Sequence, residues 1–213
     1  MIEFSQLVLD LKHRLTSPLP GLDAQMIMAP EIRGRDVEVP ADARLCSVMV
    51  LLYPHEDAVK VAFMKRSEDG RVHSGQVCFP GGRRDPVDTD QIATALREAD
   101  EELGIKPDEI EVLGEMTELY IPPSNSLVYP VLSVSDTRPA FAIDPIEVAQ
   151  VIEVDLEELL DDSIKGMHTV DVFGGNFIEA PGYTVQSQHL IWGGTSMMIA
   201  ELVEIIRQIR VLG

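Results

Sequence analysis

The run Arg97-Glu98-Ala99-Asp100-Glu101-Glu102-Leu103-Gly104-Ile105 places four acids within five consecutive positions. Ile92, Ala95, Leu96, Ala99 and Leu103 recur at helical spacing and give the segment an apolar face. At about 100° per residue, Glu98, Glu101 and Glu102 leave the helix together on a flank away from the centre of that face. Asp100 points elsewhere, and Arg97 lies one turn before Glu101, a spacing at which an i,i+4 ion pair is possible. Three converging carboxylates repel one another unless a cation stands among them. Mg²⁺ or Mn²⁺ suits that role, because hard cations take carboxylate oxygens and retain waters. By spacing alone, a solvated acidic face remains the alternative.

The ends of this helix carry their own signals. Gly104 followed by Pro107 is a stop, with glycine supplying the left-handed position. At the start, Asp88 with Gln91 resembles a capping box, and Asp90 is a second candidate cap. Charge around the helix is divided. Residues 60–84 hold Lys60, Lys65, Arg66, Arg71, Arg83 and Arg84 against Glu68 and Asp69, whereas residues 85–118 hold twelve acids against Arg97 and Lys106. A basic strip beside a carboxylate cluster suits a phosphorylated substrate held by arginines and bridged to the protein by metal.

The whole chain is 213 residues with 36 acidic and 17 basic side chains, a formal charge of −19. Such a balance argues against nucleic acid or an anionic membrane surface as partner. Cys46 and Cys78 show no pairing pattern and read as reduced cysteines in apolar surroundings. The longest apolar stretch, Leu45 to Tyr53, is far short of a membrane span, and Met1-Ile2-Glu3-Phe4 lacks the features of a signal peptide. The expected location is cytoplasmic.

Elements must position the acidic helix. Phe4, Leu7, Val8, Leu11 and Leu15 predict an amphipathic helix over 3–16, followed by an irregular Pro- and Gly-rich lead-in over 17–43. Strands are expected at 45–53, 58–66, 109–116, 127–134, 148–154, 170–173 and 189–192. A short helix at 156–161 and a closing helix over 195–212 complete the list of elements. Strands outnumber helices without regular alternation, which indicates a mixed-sheet α/β or α+β domain. The division expected is an N-terminal helix with its lead-in over 1–42 and one domain over 43–213.

Arg97 through Ile105 resembles the second half of the Nudix box, G-x5-E-x7-R-E-U-x-E-E-x-G-U, with the small Ala99 at the first aliphatic position. The first half departs: Asp88, six residues after Gly82, stands where the box has Glu, and eight residues separate it from Arg97. Nothing is therefore carried over to Asp88. This departure is similar to the coenzyme A pyrophosphatase branch, which has an upstream signature, L-L-T-x-R-S-x3-R-x3-G-x3-F-P-G-G. Here Arg66-Ser67, Arg71, Gly75 and Phe79-Pro80-Gly81-Gly82 match at every spacing, with Ala62-Phe63-Met64 in place of the leading triplet. Pro122-Pro123-Ser124-Asn125 and Ile191-Trp192-Gly193-Gly194-Thr195 also look like that branch.

The resemblance implies an α/β/α sandwich around a mixed sheet, here with an N-terminal helical extension. It implies hydrolysis of a nucleoside diphosphate joined to another moiety, with Mg²⁺ or Mn²⁺ as cofactor. By the same resemblance Glu98 and Glu102 are the principal metal ligands, Glu101 is a further ligand or positions water, and Arg97 holds a carboxylate in place. Glu98, Glu101 and Arg97 form the expected catalytic set. Gly81 and Gly82 let the backbone approach the diphosphate, and Arg66 and Arg71 bind substrate phosphate. The general base is open between Glu101 and a loop acid such as Glu147. With coenzyme A, the products are 4′-phosphopantetheine and adenosine 3′,5′-bisphosphate. ADP-ribose or another nucleotide derivative is the alternative substrate, and a non-catalytic nucleotide-binding module is the alternative of a different class. The expected partner is a small nucleotide, and a homodimer is left open.

Overall fold

The computed structural model of the chain describes residues 3–35, 37–68, 74–173 and 175–212. Its centre is β1 (Arg44–His55), whose buried run Met49–Tyr53 is apolar on both faces and therefore suits the middle of a sheet. Along one edge β1 pairs in parallel with β7 (Ser126–Val134) from Arg44–Ser126 to Leu52–Val134. The other edge is shared. Leu52–His55 pair antiparallel with the start of β2 (Ala58–Arg66), and Cys46–Val48 pair antiparallel with β4 (Gly81–Arg83).

Beyond that hairpin β1 and β2 diverge. β3 (Val77–Cys78) pairs with Met64 and Lys65 of β2, and the turn from Phe79 to Gly82 crosses the fork to reach β1. The Pro80 carbonyl accepts the Met49 N–H at 2.8 Å inside it. β8 (Val148–Asp155) covers the outer edge of β2, while β5 (Glu111–Glu115) and β6 (Leu119–Ile121) share the outer edge of β7. The result is a mixed eight-stranded sheet.

Helices cover both faces. The acidic helix is α3 (Gln91–Leu103), which lays Ala95, Ala99 and Leu103 on Met49, Leu51, Tyr53, Ala62 and Met64. Against the opposite face pack Leu7 and Leu11 of α1 (Phe4–Arg14) and the long closing helix α5 (Gly193–Leu212). A short helix α4 (Leu156–Leu160) follows β8. A second, antiparallel sheet of β9 (Lys165–Phe173), β10 (Asn176–Val185) and β11 (His189–Trp192) buries Tyr183, Val185 and Ile191 in the same core as α5. The mixed sheet between helical layers is the α/β arrangement expected.

Three differences from the local reading have physical causes. β3, β4 and β6 are two or three residues long, too short to show a period. β10 contains Pro181 and Gly182, which read locally as a loop; pairing with β11 begins only at Gly182–Trp192, so no ladder bond is required of Pro181 on that side. Finally, the lead-in holds a short helix α2 (Gly21–Gln25) and a 3₁₀ turn, Met26–Met28.

That helix is shaped by contacts distant in sequence. Glu201, fully buried on α5, accepts hydrogen bonds from Gln25 Nε2 at 3.0 Å, Gly21 N–H at 3.1 Å and Thr117 N–H at 3.4 Å. Glu201→Leu strands the half-buried Gly21 and Thr117 N–H groups and one N–H of Gln25, whose amide keeps the Thr117 carbonyl, at a cost of about 3 kcal/mol. Urea unfolding will show that loss as a lower midpoint, and limited proteolysis will cut first in the released 17–43 segment.

Candidate active site

The fork in the sheet and the flank of α3 face each other. Asp90 caps α3, accepting the Ala93 N–H at 2.8 Å, and Gly104 ends it in the left-handed conformation at φ 72°. Both ends being fixed, Glu98 and Glu102 are carried one turn apart to the Gly81–Gly82 turn. The Gly81 N–H donates to Glu102 Oε2 at 2.7 Å. At Gly82 a Cβ would lie 2.6 Å from the Glu98 carboxylate carbon, so the Glu98 head fills the space that glycine leaves.

Electrostatically this is an uneasy pair. Glu102 is only 2% exposed, and its carboxyl is pushed up to about 8, first by burial and further by Glu98 and Glu147; the Gly81 N–H and Arg66 oppose the shift. Burial likewise raises Glu98, against the pull of Arg97. The Arg66 guanidinium stands 3.5 Å from Glu102 Oε1 and 3.9 Å from Glu147 Oε2. Glu147 thus joins the site from the loop before β8, through the Ser67 N–H that donates to its carbonyl at 2.9 Å.

The cysteines lie beside these charges, not in wholly apolar surroundings. Cys78 lies beside Arg66, which favours its thiolate, but burial outweighs this and pushes the thiol up to about 12. Cys46 lies beside Ser126, and its thiol is raised mainly by burial, with Glu98 close enough to contribute. The spacing of the two cysteines in the sequence gives no hint of either position.

Arg97 ties the acids together. Its Nε and Nη2 meet Asp88 Oδ1 and Oδ2 at 3.0 and 2.9 Å, Nη2 meets Glu98 Oε1 at 2.9 Å, and Nη1 meets Glu101 Oε2 at 2.8 Å. Asp88 is buried and also accepts from the Asp85 N–H at 2.8 Å and Thr94 Oγ1 at 3.0 Å. The departure from the box at this position therefore preserves an acid that holds the arginine. Arg97 pulls the Asp88 carboxyl down to about 2.

Its folded pKa being below the ordinary carboxylate value, Asp88 stabilises the fold above about pH 4, and this is lost as pH falls toward 2. Asp88→Asn will cost about 2 kcal/mol at pH 7, and urea titrations will show the gap to the parent narrowing at pH 2.5. With Glu98 less firmly held, any reaction that depends on its carboxylate should slow about tenfold, a loss of some 1.4 kcal/mol of barrier lowering.

The predicted site residues fall into three groups. Glu98, Glu102, Arg66, Gly81 and Gly82 meet at the fork. Glu101 is drawn to Arg97 with its side chain 61% exposed, so the converging flank is a pair from α3 and not a trio. Arg71 lies outside the described residues. Among those described, no three Asp, Glu, His or Cys side chains form a metal-holding group. The donors present are hard carboxylate oxygens, and they fit a hard divalent cation of the kind that binds through one or two carboxylates together with waters and substrate phosphates. A closed cage, as for structural zinc, is not the arrangement here.

Carboxylates, a bare glycine turn and an arginine gathered on one fork of a mixed sheet suit a phosphoric anhydride held through a cation. The NUDIX domain family matches residues 44–170, and the chain belongs to the Nudix family as a pyrophosphohydrolase. It is 39% identical over 144 residues to an uncharacterized Nudix hydrolase NudL of Photorhabdus laumondii, covering 66% of this chain and 73% of that protein. To the peroxisomal coenzyme A diphosphatase NUDT7 of Mus musculus it is 36% identical over 164 residues, covering 75% and 69%. Among solved structures, the Nudix hydrolase RenU from M. smegmatis shares the fold with a TM-score of 0.55 at 16% identity, covering 85% of this chain and 94% of that one.

Proposed function

We propose that the chain hydrolyses the diphosphate linkage of coenzyme A or its derivatives, releasing 4′-phosphopantetheine and adenosine 3′,5′-bisphosphate. The observation that carries this reading is the likeness to a coenzyme A diphosphatase over three quarters of the chain, 36% identical across 164 residues. The upstream signature supports it, since Arg66 and the Phe79–Gly82 turn flank Glu102 in space.

In this reading Glu98 and Glu102 hold Mg²⁺ or Mn²⁺. The ion, when bound, neutralises diphosphate charge and makes water more acidic. Gly81 and Gly82 present bare backbone to the diphosphate, and Arg66 turns a planar, always-charged fork toward its oxygens. Glu147 accepts the proton of the attacking water; it interacts with both Glu98 and Glu102, whereas Glu101 is engaged by Arg97. Water oxygen bonds to one phosphorus, the bond from that phosphorus to the bridging oxygen breaks, and the other phosphate leaves with the bridging oxygen. Asp88 and Arg97 act only by holding Glu98. No helix among the described residues is long and apolar enough to cross a membrane.

Incubation with coenzyme A and Mg²⁺ or Mn²⁺, with products read by mass spectrometry, tests the reading. Adenosine 3′,5′-bisphosphate is expected. Cleavage of ADP-ribose alone under the same conditions would overturn the substrate and leave the chemistry standing.

A further inference from the structure

Glu147 lies at the end of a stretch, 135–147, that forms no helix or strand. A proton acceptor in such a place must be held by something other than a ladder, since a displacement of about 1 Å can cost 100-fold in rate. The stretch is anchored first on the α3 side of the sheet. Phe141 meets Tyr53 edge-on with ring centroids 6.0 Å apart, and the Arg138 guanidinium, bonded to Glu153 at 2.7 and 2.8 Å, stands 5.2 Å over the Phe141 ring. The chain then runs along the end of α3. The Ala142 N–H donates to the Leu103 carbonyl at 2.8 Å, and the Asp144 N–H to the Glu102 carbonyl at 3.0 Å. Both carbonyls are among those that a helix leaves unpaired in its last turn. The fit is close, for a Cβ at Gly104 would lie 2.7 Å from that of Ala142.

Asp144 is where these bonds gather. Besides its N–H on Glu102, its carbonyl accepts from the Val148 N–H at 2.8 Å and the Glu147 N–H at 3.1 Å, and its Oδ1 accepts from the Ile146 N–H at 2.8 Å. An aspartate that bonds the backbone two residues on closes a turn by its side chain. From the other side the Ser67 N–H holds the Glu147 carbonyl at 2.9 Å, and Val148 stands opposite Arg66 in the register of β8 on β2. The Glu147 backbone is thus fixed between Glu102 and the residue after Arg66, and its carboxylate acts on those same two residues. A negative charge at the C-terminal end of a helix is unfavourable. What Asp144 contributes there is its acceptor oxygen, not its charge.

We propose that Asp144 is the positioning residue for Glu147: its side chain closes the 144–147 turn and sets the Glu147 carboxylate against Arg66 and the Glu98–Glu102 pair. This rests on the reading of Glu147 as proton acceptor, and deepens it by tying the acceptor to the end of the helix that carries Glu102. Asp144 acts through Glu147 and touches no substrate.

Steady-state rates with coenzyme A and with ADP-ribose, in Mg²⁺, test this. Glu147→Gln should lower kcat about 100-fold. Asp144→Ala should lower kcat at least about tenfold and leave KM and the metal-induced rise in Tm unchanged, because Glu98 and Glu102 stay in place. Asp144→Asn keeps the Oδ1 acceptor and should remain within about twofold of the parent. In the Glu147→Gln background, Asp144→Ala should take nothing further from kcat, a coupling that a merely structural loss does not produce. Hydrogen exchange over 144–148 reads the turn without turnover; it should be at least about tenfold faster in the Ala variant and parent-like in the Asn variant. Asp144→Ser, whose hydroxyl accepts more weakly, should fall between them, and it carries the test if the Ala variant melts early. Full kcat in Asp144→Ala, equal losses in both backgrounds, or unaltered exchange overturns the proposal. The two readings fail separately. Slow turnover in Glu147→Gln with full kcat in Asp144→Ala removes the positioning and keeps the acceptor, whereas full kcat in Glu147→Gln with faster exchange in Asp144→Ala removes the acceptor and keeps the turn.

Discussion

Glu102→Gln should lower kcat for diphosphate hydrolysis about 1000-fold, some 4 kcal/mol of barrier, and leave the fold intact. Gln is the same size and keeps a carbonyl oxygen for the Gly81 N–H, so the 2.7 Å bond at the fork survives. What goes is a negative charge. Glu102 is nearly inaccessible, and its carboxylate is disfavoured first by burial and then by Glu98 and Glu147. Without a cation, that charge destabilises the fold, so the metal-free variant should melt no lower than the metal-free parent. With Mg²⁺ or Mn²⁺ the order reverses. Binding stabilises the native state by mass action, raising the parent's Tm while the variant's barely moves. Calorimetric melts with and without the ion, beside product analysis, separate a lost ligand from a damaged fold. A variant that keeps full turnover and its metal-induced rise in Tm would remove Glu102 from the chemistry.

Among the described glycines, Gly81→Ala should be the most damaging substitution. The added Cβ would sit 2.3 Å from the Ser47 carbonyl oxygen and 2.6 Å from the Val48 Cα, both backbone atoms of the central strand. No rotamer relieves this; β4 must leave β1, taking with it the Gly81 N–H that Glu102 accepts. Overpacking against backbone costs about 3 kcal/mol, a fall in Tm of about 6–12 °C for a domain of this size. Activity should drop at least about 100-fold in the fraction still folded, because Glu102 loses its anchor. Gly82→Ala makes the informative contrast. Its Cβ meets the end of the Glu98 side chain at 2.6 Å, which can swing away, so stability should change little while the site loses the Glu98 position. Thermal melts and single-turnover rates on both variants test the pair together.

Much of this molecule was readable without coordinates, wherever a local period carries the information. The apolar spacing and the Gly104 stop define α3, the 58–66 alternation marks β2 from Ala58 to Arg66, and the box half from Arg97 to Ile105 identifies the class. Asp88 shows the limit. Its spacing departs from the box, yet it is the acid that grips Arg97, since a loop closing on a capped helix can deliver a carboxylate from either register. Glu101 shows the converse: the helical angle places it with Glu98 and Glu102, but Arg97 one turn away captures its carboxylate.

Backbone propensity and helical spacing are one-residue to four-residue properties, and the chain by itself determined the elements, the acidic flank and the glycine turn. Which groups share a site is a matter of contacts across the sheet. The divergence of β1 from β2 opened the fork that seats Gly81–Gly82 against α3 and brought Glu147 and Arg66 to Glu102, a convergence of segments 36 to 81 residues from one another. In the same way, Glu201 on the last helix organised Gly21–Gln25, where local sequence offers only prolines and glycines. Burial did the rest, since the same carboxylate that is ordinary in water becomes, on the fork, a charge in need of a cation.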